Sequence, residues 1–172
     1  MGTILAGVDE TANGRDAATL ACALAGPGDE VLLARVRRDP LLPPRQPLGE
    51  AQPGDAALDA LAAALGRPVR TCVVTARSAA RALLELAARE QAQLIVLGSS
   101  RRWATDEAFA GRTARQVLHG APHAVAIAPR GTHDRGCALR TIVVGVDGSR
   151  ESRAALAAAR RLAAAADARL HV

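Results

Sequence analysis

Two short stretches hold the residues whose types and spacing could do chemistry. Asp9 follows the apolar run Thr3-Ile4-Leu5-Ala6-Gly7-Val8. A carboxylate at the carboxyl tip of a strand can accept hydrogen bonds from sugar hydroxyls or an exocyclic amine, and it can equally cap the helix that follows. The second stretch begins where Leu94-Ile95-Val96-Leu97 ends, at Gly98-Ser99-Ser100-Arg101-Arg102-Trp103, and closes at Gly111-Arg112-Thr113. A glycine at each end of such a loop lets backbone N–H groups approach an anion, and a helix starting at Gly111 adds its dipole, together a phosphate cradle. Glycine also ends strands and begins helices for conformational reasons alone. Trp103 reads either as a ligand contact or as an apolar plug over the loop.

Little else in the chain points to catalysis. His119, His123, His133 and His171 are scattered, and neither a Gly-x-Ser-x-Gly elbow nor a His-Glu-x-x-His helix occurs. All 22 basic residues are arginine, which excludes Schiff-base chemistry and a Walker-A lysine. Cys22, Cys72 and Cys137 lack paired spacing, so neither a disulfide framework nor a metal site is expected, and a reducing cytoplasm fits. Aromatic residues make up 1% of the chain, which removes base stacking as an activity. The net charge of +5 arises from arginines interleaved with carboxylates, as in the row Arg81, Glu85, Arg89. That is the pattern of a solvated helix face and not of a nucleic-acid patch. The first residues hold an acid at Asp9 and no basic leader, and no uncharged apolar run is long enough to span a membrane. The expected class is a soluble cytoplasmic protein with no enzymatic step, no nucleic-acid partner and no membrane partner.

The elements that must position Asp9 and the glycine loop follow from the alternation of β-branched runs with Ala/Leu/Arg stretches of helical period. Strands are expected at residues 3–8, 31–36, 69–75, 94–97 and 124–128, and helices at 14–25, 55–65 and 78–90, the last capped by Ser78. Residues 39–54 carry five prolines, which forbid a regular helix or an inner strand there. This stretch is expected to be a loop, serving as a mobile lid, a partner surface or a plain excursion. The expected fold is α/β, an open parallel five-stranded sheet of order 3-2-1-4-5 with helices on both faces. In it, ligands sit beyond the carboxyl ends of the strands. The opening segment Thr3-Ile4-Leu5-Ala6-Gly7-Val8-Asp9 returns as Thr141-Ile142-Val143-Val144-Gly145-Val146-Asp147, each copy followed by an Ala-rich helix. The expected organisation is a domain over 1–130, a linker over 131–139, and a partial second β-α-β copy over 140–172. The partial copy either packs on the first domain or a neighbouring chain, or begins a further domain of a longer tandem protein.

Three segments together resemble the universal stress protein family: Ile4 to Asp9, Leu94 to Ser100, and the run Gly111-Arg112-Thr113-Ala114-Arg115-Gln116-Val117-Leu118-His119-Gly120-Ala121-Pro122-His123-Ala124-Val125-Ala126-Ile127-Ala128-Pro129. The resemblance implies a flavodoxin-like fold. It also implies a stress-response protein binding ATP or AMP, with Mg2+ accompanying ATP, and acting through nucleotide-dependent or protein–protein association. Pairing into a homodimer through the final strand is implied as well. The alternatives are an ATP-using enzyme of a related α/β superfamily and a purely structural dimerising domain. The resemblance places Asp9 near ribose or adenine, the backbone at Val36 near adenine, and Gly98, Ser99, Gly111 and Thr113 near the phosphates. In the family's nucleotide pattern of Gly, two residues, Gly, nine residues, then Gly with Ser or Thr, Arg101 stands at the second glycine and Arg112 at the hydroxyl position. These two arginines either obstruct the approach of phosphate or recruit it by charge.

Overall fold

A computed structural model describes residues 2–44, 46–99 and 111–172. They fall into two compact units, Met1–Gly136 and Cys137–Val172.

The first unit is built on a sheet of order β3-β4-β2-β1-β5-β6, comprising β1 (Thr3–Val8), β2 (Glu30–Arg38), β3 (Gln52–Pro53), β4 (Arg70–Ala76), β5 (Ala92–Gly98) and β6 (Ala124–Ala128). Every pairing is parallel except that of β3 with β4. The five expected strands keep the expected order, and β3 is a sixth. It is a two-residue antiparallel edge strand inside the proline-rich stretch, where Pro53 is tolerated because an edge position does not require its missing N–H. Right-handed crossovers put α1 (Ala12–Leu24) and α2 (Ala56–Ala64) on one face and α3 (Ala79–Arg89) and α4 (Arg112–Gly120) on the other. Strand alternation divides the core accordingly. Leu5, Leu32, Val74, Ile95 and Leu97 join Leu83, Leu86 and Val117 of α3 and α4 in one buried cluster. The helices begin at side-chain caps that free backbone N–H groups require: Thr11 for α1, Asp55 for α2 and Ser78 for α3.

Residues 39–44 and 46–54 are tied down as a strap over α3. Arg77 donates to the Leu42 carbonyl, Arg81 to Pro44, and Arg89 to Leu48 and Gly49, while Glu85 accepts from the Leu48 amide. The Arg81, Glu85, Arg89 row, expected to be a solvated face, therefore grips a segment some forty residues earlier in the chain. Leu48 is buried beneath it. Burial pushes the Glu85 carboxyl up, but hydrogen bonds from Arg81 and the Leu48 amide outweigh it and leave the group below its ordinary 4.5. A depressed carboxyl contributes stability that is complete above its unfolded value and is lost as the pH falls through its folded one. Exchange protection of the Leu48 amide is accordingly expected to hold above about pH 5 and to fall progressively below the ordinary glutamate range. Glu85→Gln should flatten that profile, and a wild-type profile that is already flat would show that the strap is held without this carboxylate.

Residues expected to start a linker instead complete the first unit. After β6 the chain forms a short helical turn, α5 (Thr132–Arg135), whose Gly131 and His133 amides donate to the buried carboxylate of Asp16 in α1 at 2.9 and 2.8 Å. The His133 ring bonds the Thr19 hydroxyl.

The second unit consists of β7 (Thr141–Val143), α6 (Arg150–Ala166) and β8 (Arg169–His171), with β7 and β8 paired in parallel. Ser149 caps α6, and the αL residue Asp167 ends it. No helix among the described residues is long and apolar enough to cross a membrane.

Candidate functional site

The strand registers bring the first expected cluster together. Val8, the last residue of β1, pairs with Arg35, and Gly7 pairs with Leu97. Asp9, Val36 and Ser99 therefore emerge at one level from the adjacent carboxyl ends of β1, β2 and β5, with Gly98 one residue below. β2 continues beyond β1, and Val36, Arg37 and Arg38 pair only with β4. On the β1 side the backbone of those residues has no ladder partner, so a notch opens above the tip of β1 alongside β2.

Asp9 folds back on the turn it begins. Its Oδ1 accepts from the Thr11 amide at 3.0 Å and the Thr11 hydroxyl at 2.6 Å, and Thr11 in turn caps α1. Asp147 repeats the arrangement, accepting from the Ser149 amide. Hydrogen bonds from the Ser149 side chain and backbone hold Asp147 down at about 2. The capping role is therefore real in both copies. It occupies one oxygen of Asp9, and Oδ2 has no partner among the described residues, so the exposed carboxylate retains an acceptor for a ligand hydroxyl or amine.

Gly98 is a glycine for a packing reason. A Cβ there would meet the Asn13 carbonyl oxygen and lie 2.8 Å from the Asn13 Cβ, so the tip of β5 touches the first turn of α1 directly. The same close approach sets the Asp9–Thr11 turn beside the β5 tip. Ser99 is buried, its amide donates to the Ala128 carbonyl, and its hydroxyl has no hydrogen-bond partner among the described residues. An unpaired buried hydroxyl at this level is a polar group left for a ligand or water to satisfy.

Gly111, Arg112 and Thr113 begin α4. Gly111 is its N-cap, with extended backbone and no capping side chain, so the first-turn amides remain available to an anion. Arg112 and Thr113 line a cavity of about 590 Å3 beneath the strap, together with Arg38, Arg77 and Arg81. Asp9, Val36, Gly98 and Ser99 do not line that cavity. The expected site thus divides into a notch at the tips of β1, β2 and β5 and a neighbouring arginine-lined cavity on the α3/α4 face. Arg101, like Trp103, lies outside the described residues.

Arg35 stands outside the expected site residues, and strand alternation turns it toward α2. It is buried, and its guanidinium reaches both carboxylate oxygens of Asp55 at 2.8 Å and Glu10 at 3.3 Å. The Leu58 amide, opposed by desolvation and assisted by Arg35 and Arg37, holds Asp55 below its ordinary value. One cluster therefore fixes the turn after β1 and the start of α2. An arginine closing the run Val31-Leu32-Leu33-Ala34 was the available signal. The arginines that meet in the cavity were not predictable together, because they come from β2, the β4–α3 turn, α3 and α4.

Residues 1–129 match the family model described as the universal stress protein family. The chain belongs to the universal stress protein family. Solved universal stress proteins share the fold at low sequence identity. One, crystallised in complex with cAMP, is 21% identical with a TM-score of 0.54, covering 75% of this chain and 97% of that one. Another, from Archaeoglobus fulgidus, is 16% identical with a TM-score of 0.53, covering 74% and 98%. The universal stress protein from Archaeoglobus fulgidus in complex with dAMP is 16% identical with a TM-score of 0.51, covering 74% and 98%. No curated protein sequence matches the chain. The universal stress protein match ends at Pro129, so α5 and the second unit extend beyond the matched residues.

Proposed function

We propose that this universal stress protein is a cytoplasmic stress-response factor that binds an adenine nucleotide, AMP or ATP with Mg2+, in the notch at the tips of β1, β2 and β5. It signals through association and carries out no chemical step. The observation that carries the reading is the common level of Asp9, Val36 and Ser99 on three adjacent strands. Solved proteins of the same fold carry cAMP and dAMP. Asp9 Oδ2 would accept from ribose or from the adenine amine, the Val36 backbone would meet the adenine edge, and the Ser99 hydroxyl and the α4 amides would meet phosphate. Burial pushes the Cys22 and Cys137 thiols up and Cys72 up to about 11, which makes all three poor nucleophiles. Homodimerisation is supported by β6, a sheet edge whose Val125 and Ile127 are only half-buried.

A nucleotide that binds only the folded state raises its apparent stability, by about 2.7 kcal/mol when present at about a hundred times Kd. Millimolar AMP is expected to raise the thermal midpoint of the wild type, and Asp9→Ala should reduce that rise. No rise with AMP or ATP would overturn nucleotide binding. ATP turnover abolished by Asp9→Ala would replace the association reading with an enzymatic one.

A further inference from the structure

Asp55 holds the end of β2 from one side. It caps α2 by accepting from the Leu58 amide, and its two oxygens also take both of the arginines that flank Val36. Arg35 reaches Oδ1 and Oδ2 at 2.8 Å, and Arg37 reaches Oδ2 at 3.2 Å. Side chains two residues apart on a strand leave the same face, so one carboxylate spans the backbone of Val36. The Val36 side chain leaves the opposite face and packs against the core cluster shared with α3 and α4. Along one edge β4 fixes the same residue, pairing Val36 with Val74. Only the edge toward β1 is left open. Arg35 also reaches Glu10, the neighbour of Asp9, at 3.3 Å, so the same clamp ties the two sides of the notch together.

What the open edge presents follows from the ladder. The Asp39 amide donates to the Ala76 carbonyl at the end of β4, so the peptide groups of Arg37 turn to β4 as well and those of Val36 turn to the β1 side. β1 ends at Val8, level with Arg35, and no strand among the described residues stands where the Val36 carbonyl points. A carbonyl at that edge accepts from a base offering an exocyclic amine and opposes one offering an oxygen at the same ring position. Its selectivity depends on its aim, because a hydrogen bond weakens steeply as its geometry departs from linear. We propose that Asp55 is a positioning residue for base selection: by gripping Arg35 and Arg37 it holds the Val36 carbonyl where it accepts from the amine of adenine. Asp55 acts through Val36 and touches no ligand itself. The inference rests on the notch reading, which gives the Val36 backbone to the adenine edge but does not say what holds it there.

The test is competitive calorimetric titration of the whole chain with AMP and with IMP, which present an amine and a carbonyl oxygen at the same ring position. Asp55→Asn keeps the cap of α2, since asparagine caps as well as aspartate, but loses the charge and one of the two acceptor oxygens. Arg37→Gln removes the exposed arm of the clamp and leaves the buried Arg35 and the cap in place. The wild type is expected to prefer AMP by about tenfold, and the preference should fall to about twofold in Asp55→Asn, with Arg37→Gln between the two. A purely structural role would weaken both nucleotides together and leave their ratio as it was. If circular dichroism shows Asp55→Asn unfolded, the ratio in Arg37→Gln decides. An unchanged ratio in the folded variants, or a wild type that binds AMP and IMP equally, would overturn the proposal and leave nucleotide binding in the notch standing. Binding of neither nucleotide by the wild type would overturn the notch reading, and the clamp with it.

Discussion

Gly98→Ala is expected to destabilise the first unit by about 3 kcal/mol, at the upper end of the cost of overpacking a closely fitted site. The added methyl would meet backbone and Cβ atoms of Asn13 in the first turn of α1, which cannot rotate away as the end of a long side chain would. Relief requires α1 to retreat from the tip of β5, and the retreat would also disturb the Asp9–Thr11 turn that leads into α1. The measurement is the urea midpoint of unfolding, with the slope unchanged. Gly49→Ala is the control, because nothing lies near a Cβ at that position, and it should shift stability by less than about 0.5 kcal/mol. Equal midpoints for the two variants would mean that α1 is not seated against β5 as described.

Asp16→Ala should cost a similar amount, about 3 kcal/mol, for a different reason. The carboxylate is 1% exposed and accepts from the amides of Gly131 and His133. Truncation leaves two amides without their acceptor and removes the tie between α1 and α5. Asp16→Asn keeps one acceptor oxygen in place and should lose about half as much. Denaturant unfolding of the two variants checks the order. An Asp16→Ala protein as stable as wild type would show that the segment after β6 contributes nothing to the first unit.

Much of this fold can be read from the residues, because its strands are buried on both faces and announce themselves as continuous apolar runs. Val31-Leu32-Leu33-Ala34 and Leu94-Ile95-Val96-Leu97 could only be inner strands, and Ser78 before an apolar helical stripe could only begin a helix. What the sequence concealed depends on long-range contact. The Arg81, Glu85, Arg89 row lies off the apolar face of α3, as its period requires, but nothing local says that Pro44 and Leu48 take the place of water there. The same holds for Asp16, whose partners reach it only when the chain returns after β6. Pro53 argued correctly against an inner strand and for that reason hid an edge strand.

The candidate site follows the same division. Asp9 and Gly98 were visible because a strand's last residues can be found from its pattern, and parallel order then makes them neighbours. The cavity was not visible, since its walls come from the end of β2, the β4–α3 turn, the strap and the start of α4. Arg112, which departs from the family's nucleotide pattern, lies in that cavity.

The most direct test of the central claim is a residue-resolved one, the 1H–15N NMR spectrum of the whole chain titrated with AMP. The account predicts that the amides of Asp9, Thr11, Val36, Gly98 and Ser99 shift together with one dissociation constant. Shifts confined to the opposite end of the sheet, around Gly28, Glu30 and Arg70, or no shifts at all, would contradict it.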